Sequence, residues 1–312
     1  MRCFYASDIH GSEVCWRKFL NAGRFYKADV LIMGGDIVGK ALVPIVMETE
    51  TKGRARLHSH DVKLDSADAI AAFAKEVRDS GFYPLRATPE EIALLDASDE
   101  ARQAAFERVV RSELARWVEI AEEKKRDDVA VYVMPGNDDP WFIDEELSRS
   151  DAVTVCDERV VQVDGSEMIS LSYANPTPWD SPRELEEEEL FAHIESLANR
   201  LSDCSTAIFN LHVPPHASGL DDAPRLDETL RPITKMGQVE VVPVGSHAVR
   251  RAIEEFQPLV SLHGHIHESR GVRKIGRTVV INPGSEYTSG RIHGALFEIK
   301  RGRLKSHQLI TG

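Results

Sequence analysis

Five times along the 312 residues, a short apolar run ends in a turn carrying aspartate, asparagine or histidine. Cys3 to Ala6 leads into Ser7-Asp8-Ile9-His10-Gly11, and Asp29 to Met33 into Gly34-Gly35-Asp36. Val129 to Met134 leads into Pro135-Gly136-Asn137-Asp138-Asp139, and Ala207 to Leu211 into His212-Val213-Pro214-Pro215-His216. Pro258 to Leu262 leads into His263-Gly264-His265-Ile266-His267. Runs this short and apolar read as buried strands, and the turns that follow as their ends. Strand ends on one sheet edge face one crevice, where open α/β sheets bind ligands. The pattern therefore constrains the chain to an architecture that gathers these turns together. In extended backbone, residues two apart project to the same side, so Asp8 with His10 and His265 with His267 have the spacing of ligand pairs. Gly264 lets the backbone bend or approach closely just before His265.

Between these runs lie helical stretches. Ser12 to Gly23 carries Val14, Cys15, Phe19, Leu20 and Ala22 at roughly helical spacing, and the following strand completes a βαβ unit. Pro182 to Leu201 reads as an acidic helix and Ser246 to Phe256 as another, and Asp139 before Pro140 reads as the cap of a helix continuing to Leu147. The mixture of βα units with plain β segments predicts an α/β fold in which two packed mixed β-sheets are flanked by helices, an αββα sandwich.

Residues 41–128 break the rhythm and read as a largely helical insertion in a single domain spanning 1–312. Pro44 to Glu50 and Arg54 to His60 flank Thr51-Lys52-Gly53 as a hairpin. Helices follow from Ser66 to Ser80, from the capping sequence Thr88-Pro89-Glu90-Glu91, and from about Asp99 to Arg126. The insertion carries no catalytic constellation, and its long amphipathic helix suits a cap over the site or a homodimer surface.

Composition narrows the function. With 38 basic and 51 acidic residues the net charge is −13, which disfavours nucleic acid and anionic membranes as partners. A metal cluster overrides that field locally and still suits a small phosphorylated substrate. The four cysteines form no Cys-x-x-Cys pair. Strand-like sequence begins at Arg2, leaving no room for a leader, and no apolar stretch approaches the ~20 residues of a membrane helix. The expectation is a cytoplasmic protein with reduced thiols.

The ordered set Asp8-x-His10, Gly35-Asp36, Gly136-Asn137, His212 and Gly264-His265-x-His267 resembles the motifs of the calcineurin-like metallophosphoesterases, over most of the chain outside 41–128. The resemblance implies a binuclear metal centre. One ion would take Asp8, His10 and His267, the other Asn137, His212 and His265, and Asp36 would bridge them. Imidazole with carboxylate suits Mn, Fe or Zn, and a bridging carboxylate holds two ions at the ~3.5–4 Å of two-metal catalysis. Two divalent ions against Asp8 and Asp36 leave a site of roughly +2, suited to phosphate oxygens. The implied activity is metal-dependent hydrolysis of phosphodiesters or phosphomonoesters, by attack of a metal-bridging hydroxide on phosphorus. The alternative is a metal-binding interaction scaffold with weak or no catalysis.

One departure stands out. Where the family most often has Gly-Asn-His, this chain has Gly136-Asn137-Asp138. An ionised aspartate facing phosphate repels it, so Asp138 would be protonated, turned away, or in contact with substrate through a positive group or water. His216, four residues after His212, is the candidate replacement acid. His263 is expected to support the site without binding metal, and His58 and His60 to face solvent. Lys40, Arg183 and Arg270 are candidates for phosphate contact. The loop around Trp179, the segment from His216 to Asp227 and the segment from Asn282 to Tyr287 are candidates for the pocket wall.

Overall fold

The computed structural model describes residues 1–312. Two six-stranded sheets form its centre. The first has the spatial order Arg303–Thr311, His293–Lys300, Arg2–Ala6, Val30–Gly34, Ala130–Met134 and Thr154–Val155. Arg2–Ala6, Val30–Gly34 and Ala130–Met134 run parallel as neighbours, while His293–Lys300 pairs antiparallel with Arg2–Ala6. The second has the order Gly271–Ile275, Thr278–Asn282, Val260–Leu262, Ile208–Leu211, Ser166–Leu171 and Val160–Val163, with its four central strands parallel.

Alternation along the strands decides which layer each side chain joins. Cys3, Tyr5, Val30 and Ile32 turn inward and meet Met168, Ile208, Val260 and Ile281 of the second sheet. Phe4, Ala6, Leu31 and Met33 turn outward beneath helices Glu13–Tyr26 and Asp99–Lys124, where Trp16 stacks on Trp117. On the other side Phe209 and Leu211 meet Leu190 and Ile194 of helix Glu187–Ala198 and Val249 and Ile253 of helix His247–Phe256. Strands buried on both faces explain why the sequence shows continuous apolar runs there. The αββα sandwich is the expected architecture. No helix is long and apolar enough to cross a membrane, and the four cysteines are unpaired.

The insertion carries more strand than its sequence suggests. The expected hairpin is present as Leu42–Thr49 and Lys52–Leu57, but His60–Leu64 and Tyr83–Ala87 extend it to four strands around a core that includes Ile45, Leu57, Phe73 and Val77. His58 and Ser59, at φ 49° and 67°, turn the chain back after Leu57. Neither glycine nor asparagine marks that turn, which left it invisible. Two helices are also shorter than read: Glu187–Ala198 replaces Pro182 to Leu201, and only Ile143–Leu147 follows Pro140.

Candidate metal centre

All five loops open at the carboxyl ends of parallel strands, three in the first sheet and two in the second, so their side chains converge. The structure brings Asp8, His10, Asp36, Asn137, His212, His265 and His267 together in two groups. Asp8, His10 and His267 place ligand-capable atoms within 4.8 Å of one another, as do Asp36, His212 and His265. In the first group His10 Nε2 lies 3.1 Å from His267 Nε2, and His267 Nε2 lies 3.5 Å from Asp8 Oδ1. In the second, Asn137 Oδ1 lies 3.0 Å from His212 Nε2 and 2.8 Å from His265 Nδ1. Asp36 faces both groups: Oδ2 is 3.6 Å from His10 Nε2 and Oδ1 is 3.5 Å from His212 Nε2.

The backbone is held in an uncommon form to achieve this. Asp8, His10, Asp36 and His265 all have positive φ, between 37° and 64°. Left-handed backbone at side-chain-bearing residues costs free energy and clusters at functional sites. Close approach also requires glycine at two positions: a Cβ on Gly264 would overlap Asp8 and Ser7, and one on Gly136 would overlap Asp36. Surrounding hydrogen bonds fix the rings. His212 Nδ1 donates to Gly34 O at 2.8 Å, which leaves Nε2 facing the cluster. The His265 N–H donates to Asp8 Oδ1 at 2.9 Å, and Asn282 Nδ2 donates to the carbonyls of Gly264 and Ile266. His263 Nδ1 donates to the carbonyls of Leu211 and Val213, away from the ligand atoms.

Protons occupy the charge balance of these groups. Burial alone would raise the Asp8 carboxyl, but the hydrogen bond and charge of His267 outweigh it and hold it down at about 2. Asp36 likewise lies well below the usual carboxylate range, the charge of His212 outweighing its burial. Burial would lower His212, yet the Asp36 carboxylate pushes it up to about 10, and Asp8 raises His267 against its burial. Burial and the His212 charge bring His265 down to about 4, and burial lowers His10. His10 Nδ1 is buried with no partner. Two buried carboxylates ringed by imidazole nitrogens, with Asn137 Oδ1 beside them, form a donor set that fits divalent cations.

Asp138 sits at the edge of this assembly, its carboxylate within 4.8 Å of ligand atoms of His10 and Asp36. It pairs with the Lys40 ammonium and accepts a hydrogen bond from Ser181 Oγ at 2.8 Å. The Lys40 ammonium thus sits beside the Asp138 carboxylate at the cleft. Asp139 does not cap a helix. Its fully buried carboxylate accepts from the N–H groups of Ile37, Val38 and Gly136 at 2.8–3.1 Å, tying the Asp36 loop to the Asn137 loop. Burial and the Asp36 charge push Asp139 up to about 7 against those three donors.

A cleft of about 550 Å³ opens over the groups, with His10, Asp36, Asn137, His265 and His267 on its floor beside Lys40 and Asp138. One wall is the loop from Asn175 to Trp179, as expected, and the other comes from 223–244, including Arg225, Leu230 and Val244. His216 is outside this cleft: its ring packs on His247 at 3.9 Å and its N–H bonds to Ser246 O, which turns it toward helix His247–Phe256. Arg183 is also elsewhere, buried between Asp144 and Asp157 with its guanidinium over Trp141. Arg270 donates to Ile310 O. The Asn282 to Tyr287 segment supports the floor from below and does not form a wall: Ser285 Oγ donates to Asp8 O, and the Tyr287 ring packs on His10. Sequence reasoning missed the clamp by Asp139, the contact of Ser181 and the wall residues beyond Asp227. Only the long-range fold brings these to the site.

No protein-family model matches the chain. An uncharacterised protein of Methanocaldococcus jannaschii is 30% identical over 159 residues, which are 50% of this chain and 65% of that protein's length. Among solved structures, one aligns at a TM-score of 0.60 and 16% identity, covering 100% of this chain and 98% of its own. The protein TT1561 of Thermus thermophilus aligns at a TM-score of 0.53 and 15% identity, covering 100% and 97%. These two likenesses show a shared α/β fold over the full chain.

Proposed function

We propose that this chain is a binuclear metal-dependent phosphoesterase acting on small phosphodiesters or phosphomonoesters. The observation that carries the reading is the Asp36 carboxylate, which stands between two imidazole-bearing groups with one oxygen toward each, at the floor of a cleft. In this reading Asp8, His10 and His267 hold one ion, Asn137, His212 and His265 hold the other, and Asp36 serves both. Two divalent ions there supply positive charge for phosphoryl oxygens and acidify a water to near neutrality. Manganese, iron and zinc all suit the donors.

The chain's own residues do the rest. Gly34 O and the Asp8 carboxylate fix His212 and the His265 loop, so the ligand atoms are set before substrate arrives. The protons that Asp36 and Asp8 hold on His212 and His267 leave as cations enter, so metal uptake strengthens with pH. Lys40 presents an ammonium at the cleft, and its pairing with Asp138 offsets the carboxylate's charge toward an incoming phosphate. The test is elemental analysis of the purified protein, followed by hydrolysis of bis-nitrophenyl phosphate and nitrophenyl phosphate with added Mn²⁺. Metal-dependent turnover that Asp36→Asn abolishes is the expected result. Metal content without turnover on any ester would replace the esterase by a scaffold.

A further inference from the structure

We propose that the cleft takes organic phosphoesters whose non-phosphate part carries an aromatic ring, stacked on Trp179 while the phosphoryl group lies at the Asp/His groups. The phosphoryl end rests on the esterase reading; the ring end rests on the cleft wall. Of the four tryptophans, Trp16 and Trp117 stack on each other and Trp141 lies under the Arg183 guanidinium. Trp179 is 62% exposed, lines the cleft and meets no aromatic or cationic partner. An indole face left in water beside a binding floor is a surface a planar ring covers favourably.

The loop that carries it is built to hold it there. The Glu184 carboxylate accepts from Thr177 N–H at 2.9 Å, from Thr177 Oγ1 at 2.5 Å and from Ser181 N–H at 3.0 Å, and the Trp179 N–H donates to Thr177 Oγ1. Pro176 and Pro178 fix two more backbone angles. The other wall presents Leu230, 45% exposed, on a turn organised by the Asp227 carboxylate, which accepts from Thr229 N–H and Oγ1 and from Arg231 N–H. Two preorganised turns thus offer apolar surface in one cleft, which lowers the ordering cost of binding. A volume of about 550 Å³ far exceeds what inorganic phosphate needs and lies within the range of organic ligand sites. A simple aryl group and a nucleobase share this chemistry.

The experiment separates the ring from the phosphate. Methylphosphonate and phenylphosphonate carry the same charged group and differ by the ring, and neither is hydrolysed. Calorimetry on the Mn²⁺-loaded protein is expected to give phenylphosphonate roughly tenfold tighter binding, the size of one aromatic stack. Trp179→Ala brings that ratio close to one, Trp179→Phe keeps a several-fold preference, and elemental analysis shows the same metal content in all three proteins. A nucleoside methylenephosphonate binding more tightly than phenylphosphonate identifies the ring as a nucleobase, and the reverse order identifies a simple aryl group. A ratio near one in the unmodified protein, or an unchanged ratio in Trp179→Ala, overturns the proposal. Ring preference without hydrolysis of any ester would defeat the esterase reading alone, and hydrolysis without ring preference would defeat this inference alone.

Discussion

Replacing Asp139 tests whether the two carboxylate-bearing loops are held together from behind. The carboxylate accepts from the N–H groups of Ile37 and Val38 at 2.9 Å and of Gly136 at 2.8 Å, all at buried positions. Alanine leaves three buried donors without an acceptor. At ~1–3 kcal/mol for each unsatisfied group, with some recovery from water entering the vacated space, Asp139→Ala should lose about 3–6 kcal/mol. That is a large part of the ~5–15 kcal/mol by which domains are stable. Asparagine preserves the shape and offers one carbonyl oxygen to Ile37 and Val38, but its amide N–H₂ meets the Gly136 N–H, so about 1–3 kcal/mol is expected. Urea denaturation of the metal-free protein isolates this effect from any loss of bound metal. Elemental analysis of the same variants should show reduced metal content, because the clamp sets the Asp36 loop against the Asn137 loop. A loss below about 1 kcal/mol for Asp139→Ala would refute the reasoning.

His265→Ala and His267→Ala should each lower metal content at a different group, leaving about half the metal in each protein; full occupancy in both would sink the division of the turn between two ions. Lys40→Ala should weaken inorganic phosphate binding by roughly tenfold in calorimetry, the cost of one charge-assisted hydrogen bond, with metal content unchanged. If Asp138 acts by holding Lys40, the effects of Asp138→Ala and Lys40→Ala on that affinity will be less than additive, and strict additivity excludes the link. Burial pushes Asp157 up to about 6, with the Ser172 hydrogen bond and the Arg183 charge opposing it. Its folded value thus exceeds its ordinary value near 4, so the stability it contributes is fully present below pH 4 and is lost as pH rises through 6. The loss is about 2–3 kcal/mol, and Asp157→Asn should flatten that part of the denaturation profile.

The αββα architecture was legible because strands buried on both faces leave continuous apolar runs, and their ends fall at glycine-bearing turns such as Gly34-Gly35 and Pro135-Gly136. The seven residues at those ends could be named for the same reason: parallel strands deliver their carboxyl-end loops to one edge, and the structure gathers them there. The hidden parts depend on contacts between distant segments. Nothing local at Asp139 distinguishes an N-cap from a clamp on Ile37, 102 residues away. His58-Ser59 lacks the glycine or asparagine that marks a left-handed turn, which hides strand His60–Leu64, and Tyr83–Ala87 finds its partner only about 40 positions back, in Leu42–Thr49. His216 shared a turn with His212 in the sequence, but the bond of its N–H to Ser246 O carries it out of the cleft.

His10 and His267 lie 3.1 Å apart although 257 positions separate them. On a growing chain, Asp8 and His10 are made well before the partner turn that carries His267. The first sheet waits longer still, because two of its strands, His293–Lys300 and Arg303–Thr311, follow that turn in sequence. A product that stops before His265 therefore lacks one member of each group, His267 of the first and His265 of the second. Completion of the two groups is therefore a late event in folding, because both wait for the turn that carries His265 and His267.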